Sequence, residues 1–485
     1  MDKKYSRRKF ISTSLKGAAG VLAVSVIPIG ISRFFTSNRT NLPSSANGRE
    51  VALPIPPLVK NTSTEPKKAE FQLTVQSATK EFFQRKGTPT LGYNGDFLGP
   101  VIRVRNGTEV SIKVKNDLNE GTTVHWHGLK VNGDQDGGPH QEIQPGETWN
   151  PRFTINQPAA TLWYHPHLLH KTGEQVYKGL AGLFYIDDDI SDSLNLPNEY
   201  GVNDFPLVIQ DRQFNSNGTF EYKLGMQEVM MGIQGNTILV NGAINPFLNV
   251  PRGKVRFRML NGSNARAYEF RLSNNQPFDQ IASDGGLLPA PVSMTKVILA
   301  AGERAEMIID FSSLSEGDSL YVMNQDAKLM KFVVKNKPLK TDDLPSKLVD
   351  IQKINESTAV RTRQFVFQGM GSNVNINGKQ MDMNRIDEQL KLHDTEIWEI
   401  SNASGGMMGG GMAHPFHAHG VQFQILDRDG NPPPANEAGW KDTILVNPGE
   451  KVRAIATFDH SGTFMYHCHI LEHEDAGMMG QFTVQ

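Results

Sequence analysis

The chain of 485 residues repeats one pattern of short strands and turns three times. The spacing is roughly 140 to 155 residues, which is one domain length. In each copy an alternating apolar strand ends at an asparagine, and Asn-Gly pairs recur at 94, 241 and 377; the strand ends are Asn116, Asn261 and Asn402. A turn also recurs, as Pro-Gly-Glu at 145 and 448 and as Ala-Gly-Glu at 301. Period-two strands with Gly, Pro and Asn between them predict an all-β chain of three β-sandwich domains.

The length and the turn pattern predict where these domains lie. A chain of this size is too long for one core. Polar linkers with little apolar alternation lie near residues 187–204 and 337–358. The predicted domains therefore cover residues 69–190, 204–337 and 359–485.

The N-terminus is predicted to be a targeting segment. Ser-Arg-Arg-Lys-Phe-Ile at residues 6–11 precedes an apolar stretch at 17–31 and resembles a twin-arginine export signal, here residues 1–35. Residues 36–68 are rich in Ser, Thr, Pro, Asn and Lys and are predicted to be a tether. We expect export by the twin-arginine machinery to the periplasm or to the outer face of the cytoplasmic membrane. An uncleaved anchor is the alternative.

Charge and cysteine content narrow the function. A net charge of −2 without a clustered Lys/Arg run gives no electrostatic case for nucleic acid. The single cysteine, Cys468, cannot form an internal disulfide. A free thiol in an exported protein is explained by metal ligation. The sequence predicts no oligomeric state.

The motif that contains this cysteine, HCHILEHEDAGMM at residues 467–479, carries the most chemical information. Side chains alternate across an extended strand, so His467 and His469 point to one face and Cys468 to the other. Two metal sites therefore flank one strand. The cysteine of one site is joined through the backbone to two ligands of the other, as electron transfer between metals requires.

The remaining donors of the cysteine site lie close in sequence. Blue-copper sites combine two His and one Cys with a weak axial Met. His473 follows the cysteine, and Met478 or Met479 supplies a thioether. His414 precedes the next histidine pair by three residues, so it is predicted to face away from that pair and to be the second imidazole.

Three more histidine pairs occur, in HWHG, WYHPH and HPFHAHG. Fourteen His in the chain predict roughly 0.4 H-x-H pairs by composition, and four are present. A single pair is most often a strand face or a satisfied core histidine, but four pairs together indicate a metal cluster. The eight imidazoles are His125, His127, His165, His167, His417, His419, His467 and His469.

These four segments resemble the copper signatures of the multicopper oxidases, the family of laccases, bilirubin oxidases and periplasmic copper-efflux oxidases. The resemblance implies three cupredoxin-like Greek-key domains and four copper ions, with no ligand position missing. The implied type 1 copper ligands are His414, Cys468, His473 and axial Met478. The implied type 2 ligands are His125 and His417, and the implied type 3 ligands are His127, His165, His167, His419, His467 and His469.

The remaining histidines are predicted not to bind metal; they are His140, His170, His393 and His460. No histidine occurs between His170 and His393. The middle domain is therefore predicted to be a spacer, and the cluster is predicted to lie where the first and third domains meet.

The resemblance implies an oxidase that takes single electrons at the type 1 copper and reduces dioxygen to water at the trinuclear cluster. Oxygen reduction consumes protons, and Asp136 and Glu474 match acidic positions that assist proton delivery in copper-efflux oxidases. Orientation of a ligand is the alternative role for each. A copper-binding or scaffold protein is the alternative function, but such relatives lack several ligands. Copper nitrite reductase is disfavoured by the tandem H-C-H and by the three repeats.

The reducing substrate is the least determined feature. Residues 405–412 read GGMMGGGM and end two residues before His414. Thioethers suit Cu(I), and copper-efflux oxidases have methionine at the position of Met412, so Met407, Met408 and Met412 are candidate substrate ligands. The chain departs from those enzymes because Gly410 replaces an acidic residue and no long Met-rich insertion follows Met383. We expect Cu(I) oxidation, with a role in copper tolerance, beside laccase-like oxidation of phenols. A packing role of the methionines is the alternative.

Overall fold

The computed structural model describes residues 50–338, 343–403 and 411–485, and these residues are mostly strand. The predicted all-β class and the cupredoxin-like sandwich architecture are confirmed. Each of three consecutive regions consists of two sheets, which we call the first, second and third sandwich.

The first sandwich has sheets of order β2-β1-β4-β6, with β7 also on β4, and β3-β9-β8-β5. Its strands are β1 (Lys68–Phe83), β2 (Lys86–Tyr93), β3 (Ile102–Arg105), β4 (Glu109–Asn116), β5 (His125–His127), β6 (Thr148–Trp149), β7 (Arg152–Thr154), β8 (Ala160–His165) and β9 (Gly182–Asp187).

The second sandwich contains β10 (Asp204–Arg212), β11 (Thr237–Val240), β12 (Ala243–Ile244), β13 (Phe247–Arg252), β14 (Lys254–Asn261), β15 (Tyr268–Leu272), β16 (Phe278–Ser283), β17 (Gly286–Met294), β18 (Lys296–Leu299), β19 (Arg304–Asp310), β20 (Ser319–Asn324) and β21 (Ala327–Pro338). Its sheets have the orders β12-β11-β10-β14-β19-β16-β17 and β13-β21-β20-β15-β18.

The third sandwich contains β22 (Arg361–Gln368), β23 (Asn375–Ile376), β24 (Glu388–Leu390), β25 (Thr395–Asn402), β26 (His414–Ala418), β27 (Gln424–Arg428), β28 (Thr443–Val446), β29 (Lys451–Thr457), β30 (Gly462–Cys468) and β31 (Met479–Val484). Its sheets have the orders β23-β22-β25-β29-β27 and β24-β31-β30-β26-β28.

Helices in the described residues are short. They are α1 (Thr172–Lys178), α2 (Asp189–Asp192), α3 (Met226–Met231) and α4 (Leu471–Asp475), with 3-10 turns at Glu356–Thr358, Gly371–Asn373 and Ala435–Glu437. Among the residues described, none of the helices has the length and apolar character needed to span a bilayer.

The sequence repeat corresponds to a repeated topology. The repeated strands β4, β14 and β25 each pair in parallel with the first strand of their own sandwich, β1, β10 and β22. The three Asn of the Asn-Gly pairs have positive φ, between 49° and 56°. Each also bonds through its side chain to two backbone groups of that first strand, as Asn241 does with the Val208 N–H and the Pro206 carbonyl. Each Asn-Gly turn is therefore hydrogen-bonded to the first strand of its own sandwich.

Apolar alternation produces three separate cores. In β1, Ala69, Phe71, Leu73 and Val75 are buried between exposed or half-buried neighbours. Each fully buried aliphatic or aromatic side chain contributes about 1.5–3 kcal/mol. The cores are formed mainly by residues 69–186, 205–334 and 365–484. The domain boundaries at 190/204 and 337/359 stay predictions.

Candidate metal centre

Strand pairing brings the histidine pairs together two by two, within the first sandwich and within the third. β5 pairs with β8 so that His125 lies opposite His165. β26 pairs with β30 so that His417 lies opposite His467. All eight histidines are buried.

The two faces of β30 have different surroundings, as its alternation predicts. Phe464, Tyr466 and Cys468 belong to the core of the third sandwich. Met465 lies on the other face, where its Cγ would be 3.8 Å from a Cβ on Gly138 of the first sandwich. His467 is two residues further along, so it faces the first sandwich as well. The structure thus positions the histidine cluster between the first and third sandwiches.

His125 and His417 form the first group of the cluster. The Nδ1 of His125 lies 3.1 Å from the Asp136 carbonyl oxygen, and that of His417 lies 2.8 Å from the Asp442 carbonyl oxygen. A carbonyl oxygen only accepts, so each Nδ1 carries the proton. Each Nε2 then presents a lone pair, and both Nε2 atoms are buried without a partner.

His167, His419 and His467 form the second group. The Nε2 of His467 lies 3.1 Å from the Nε2 of His167 and 3.3 Å from that of His419. The Nδ1 of His467 donates to the Cys468 carbonyl, and the Nδ1 of His419 donates to the Asp136 carboxylate. The lone pairs of these two Nε2 atoms therefore point at each other, an arrangement that a cation between them would stabilise.

His127, His165 and His469 form the third group. The Nδ1 of His127 lies 3.4 Å from the Nε2 of His165, whose own Nδ1 donates to the Pro166 carbonyl. The Nε2 of His127 is bound instead, at 3.0 Å from Asp442 Oδ1. The His469 ring lies 5.0 Å from that of His127, and both of its nitrogens lack a partner.

Burial favours the neutral form of seven of these rings. It lowers the pKa of His469 to about 3 and is the largest cause of the lowered pKa values of His127, His165, His167, His417, His419 and His467. A neutral imidazole is the form that ligates metal.

Cys468 has its own set of donors on the opposite face. Its Sγ lies 3.3 Å from His414 Nδ1 and 3.9 Å from His473 Nδ1. The Nε2 of His473 donates to the Met230 carbonyl at 3.1 Å, so its Nδ1 lone pair faces the sulfur. Burial raises the pKa of the Cys468 thiol and is the largest cause of the lowered pKa of His473, about 4.

The structure separates the two candidate axial methionines. Met479 is the register partner of His467, so it shares the cluster-facing side of the sheet. Met478 is buried in the same apolar cluster as Cys468. The geometry therefore favours Met478, the residue that the family resemblance implies.

The two predicted acids each contact histidines of the opposite sandwich. Asp136 Oδ2 accepts from His419 Nδ1 at 2.7 Å, while Asp136 Oδ1 is buried without a partner. Glu474 lies 3.4 Å from His167 Nδ1 and 3.2 Å from His467 Nδ1. Burial raises the pKa of Glu474 well above its usual value.

The donors fit copper. The described residues contain one compact His-His-Cys set, His414, Cys468 and His473, and overlapping sets of histidines in the cluster. Imidazole and thiolate donors suit copper, and His₂Cys with a nearby Met is the blue-copper donor set. The facing lone pairs of His419 and His467, together with the unpartnered buried nitrogens of His125, His417 and His469, are the independent sign that cations belong there.

The predicted methionine loop is only partly described. Met407 and Met408 lie outside the described residues. Met412 is half-buried against the third core, and its carbonyl accepts from the Asn402 side chain at 2.7 Å.

Sequence reasoning missed α3 of the second sandwich. The Met230 carbonyl of this helix accepts from His473, and its Met226 is 83% exposed. The run MQEVMM was the available signal.

The four other histidines belong to none of the compact donor groups found among the described residues. His140 pairs with the Gln481 side chain, His170 with the Asp475 carbonyl and His393 with Asp459. The Nδ1 of His460 is buried without a partner.

Sequence reasoning also missed Asp442, which contacts His127, and Arg304, which pairs with Asp442. Arg304 belongs to the second sandwich, so the domain that the sequence predicts to be a spacer contacts a neighbour of the cluster through this side chain. No motif could reveal this pair, because 138 residues separate its members.

Known proteins resemble this chain over most of its length. Two family models, each described as multicopper oxidase, match residues 74–191 and 343–485 respectively. A multicopper oxidase, mco, of Staphylococcus haemolyticus is 45% identical over 414 residues, which are 85% of this chain and 88% of the relative. The crystal structure of a laccase from Pediococcus acidilactici has a TM-score of 0.87 and 42% identity, covering 91% of this chain and 95% of that one. The cell division protein FtsP of Photorhabdus laumondii is 35% identical over 98% of both chains.

Proposed function

The chain belongs to the multicopper oxidase family, and we propose that it couples the one-electron oxidation of a reducing substrate to the four-electron reduction of dioxygen to water. The observation that supports this most strongly is the run His467-Cys468-His469. It joins the His-His-Cys set to the histidine cluster with one residue in each direction.

We assign four coppers to the groups of donors. His414, Cys468, His473 and axial Met478 would hold the type 1 copper, and His125 and His417 the type 2 copper. His127, His165 and His469 would hold one type 3 copper, and His167, His419 and His467 the other. When bound, the coppers would supply the one-electron redox steps and the binding of dioxygen.

The protein's own role at the cluster is to orient rings and to handle protons. Backbone carbonyls of Asp136, Pro166, Asp442 and Cys468 fix the Nδ1 protons of four rings, which leaves each Nε2 free to bind. The unpartnered carboxyl oxygens of Asp136 and Glu474 lie beside cluster rings and are available to pass protons inward.

For the reducing substrate we propose Cu(I) together with phenolic donors, which would give the enzyme a role in copper tolerance. Two exposed thioethers belong to α3, which contacts His473, and to a segment next to it: Met226 is 83% exposed and Met370 is 65% exposed. A Cβ placed on Gly371 would be 3.7 Å from Met230 Cγ, so α3 adjoins the segment that contains Met370. With Met407, Met408 and Met412, these thioethers offer soft donors for Cu(I).

Oxygen uptake by copper-loaded protein tests the function. We expect a blue protein that consumes one O₂ per four electrons from a dye, a phenol or Cu(I), without release of hydrogen peroxide. Protein that binds copper but consumes no oxygen would support the scaffold alternative, to which the similarity to FtsP is relevant.

We also propose twin-arginine export, on the strength of Arg7 and Arg8 ahead of the apolar stretch. Replacing both arginines by lysine should retain the protein in the cytoplasm. Unchanged export would exclude this route, and the size of the exported chain would distinguish cleavage from anchoring.

A further inference from the structure

The three recurring Gly-Glu turns have different surroundings. A Cβ added to Gly146 or Gly449, in the outer sandwiches, would meet nothing within 4 Å. A Cβ on Gly302, in the second sandwich, would lie 2.9 Å from three ring atoms of His469. Of these three glycines, only Gly302 therefore lies against a histidine of the cluster, and its φ is 87°.

Arg304 follows this turn and is fully committed to buried partners. Its side chain is 0% exposed. Nη1 and Nη2 donate to the two oxygens of Asp442, the former at 2.7 Å. Nε donates to the Thr161 carbonyl of the first sandwich at 3.2 Å. Arg304 of the second sandwich thus bonds to Thr161 of the first sandwich and to Asp442 of the third.

Asp442 in turn contacts two cluster histidines from different sandwiches. Its Oδ1 lies 3.0 Å from His127 Nε2, and its backbone carbonyl accepts from His417 Nδ1 at 2.8 Å. Gln422 donates to Asp442 Oδ2 at 2.7 Å, so the carboxylate is held from several directions. A bidentate guanidinium fixes the plane of a carboxylate as well as its charge.

His127 is the ring that depends on this arrangement. Four other cluster rings bind backbone carbonyls through Nδ1, whereas His127 turns Nδ1 toward His165 and binds through Nε2 to Asp442 Oδ1 and to the Thr443 hydroxyl, which itself donates to Asp442. A rotated or displaced Asp442 would let the other tautomer form, with a proton on the nitrogen that should bind metal.

We propose that Arg304 is a positioning residue by which the middle sandwich sets His127 and His417 for copper, through Asp442. The inference rests on the proposed copper assignment. It makes assembly of the trinuclear cluster dependent on all three sandwiches, although the second supplies no ligand. The competing interpretation is that Arg304 and Asp442 form only a buried ion pair that stabilises the interface.

The test compares Arg304→Met with Arg258→Met. Arg258 is buried in the same sheet and forms a similar two-pronged pair with Asp204, and its other contacts are Thr161, Glu306 and Tyr185. Each variant is loaded with copper, and we measure thermal stability, copper per chain, the blue band and the type 2 EPR signal. Loss of one partner of a buried pair destabilises the protein in both cases.

We expect Arg304→Met to keep the blue band while copper affinity at the cluster falls about 10- to 100-fold and the type 2 EPR parameters change. Arg258→Met should lose stability with an unchanged EPR signal. Arg304→Lys restores the charge but not the two-pronged geometry, so it should restore stability more than the EPR signal.

A double variant, Arg304→Met with Asp442→Asn, removes both charges and keeps an acceptor oxygen for His127. It should fold better than Arg304→Met yet retain the altered EPR signal. Wild-type copper content and EPR parameters in the double variant or in Arg304→Met would overturn the positioning role. If Arg304→Met does not fold, the Lys and double variants decide in the same way. Wild-type protein without cluster copper would instead overturn the proposed function.

Discussion

The first and third sandwiches carry the same segment with different chemistry: TLWYHPHLLHK begins at Thr161 and TFMYHCHILEH at Thr463. In both, the first histidine donates from Nδ1 to the carbonyl of the next residue, Pro166 or Cys468. The cluster side of the two segments is therefore built alike. They differ on the opposite face, where the third sandwich has a sulfur.

The loss of the other donors in the first sandwich is equally complete. Counting from the aligned pairs, Thr122 stands where the third sandwich has His414, and Lys171 stands where it has His473. Lys171 instead forms surface ion pairs with Glu120 and Glu174, and Thr122 bonds to Gln175. Because side chains alternate across a strand, one face can gain or lose a metal site while the other keeps its ligands.

The largest effect is expected from removing this difference with Cys468→Ser. The blue band and substrate oxidation should both disappear. Thiolate charge transfer gives the colour, and the copper–sulfur bond that connects the type 1 copper to the chain between His467 and His469 is lost. The cluster coppers should largely remain. Pro166→Ser, at the matching position, is the control and should stay blue. A blue Cys468→Ser protein would refute the type 1 assignment.

A second prediction compares the two acids. Asp136 lies in the first sandwich and contacts His419 of the third, and Glu474 lies in the third sandwich and contacts His167 of the first. Asp136→Asn or Glu474→Gln should slow reoxidation of the reduced protein by oxygen about 10- to 100-fold, because a proton donor is lost. Stopped-flow reduction of the blue copper should stay fast. Loss of cluster copper in either variant would show that the acid mainly orients its histidines.

A third prediction concerns the methionines that shortly precede His414 in the sequence of the third sandwich. Replacing Met407, Met408 and Met412 together by Leu should weaken Cu(I) oxidation several-fold more than oxidation of an organic dye, because thioether donors bind Cu(I). Met226→Leu with Met370→Leu is a parallel variant on α3 and its neighbour. Equal losses on both substrates would reduce the loop to a structural lid.

The smallest effect is expected at the axial position, which the first sandwich lacks. Met478→Leu should keep the copper and raise its reduction potential, because removing a weak donor destabilises Cu(II) relative to Cu(I). Spectroelectrochemical titration measures the shift. Met479→Leu, whose side chain shares the face of His467, should leave the potential unchanged, and the reverse result would exchange the two assignments.

Sequence reasoning predicted the parts of the molecule that local periodicity encodes. Alternation placed His467 and Cys468 on opposite faces, and the Asn-Gly pairs predicted turns at which Asn94, Asn241 and Asn377 do have positive φ. The family resemblance brought the histidines together, and the nitrogens of His167, His419 and His467 converge, as do those of His125, His127 and His165, whereas His469 belongs to none of the compact groups.

Contacts between distant segments could not be predicted where the residues stand in no motif. Arg304 and Asp442 belong to different sandwiches, and neither stands in a motif that predicts the other. Likewise, the hydrogen bond from His473 to the Met230 carbonyl depends on how the second sandwich packs on the third. Such contacts follow from the packing of whole domains, which a single sequence does not encode in a local pattern.

We propose that the histidine cluster, which the first and third sandwiches build together, and the Cys468 site act as one four-electron unit. The most direct test of this proposal is to reduce copper-loaded protein fully without oxygen and then add measured amounts of O₂. We expect four coppers per chain, return of the full blue band after one O₂ per chain, and no hydrogen peroxide. Accumulation of peroxide, or a blue band that does not return, would contradict it.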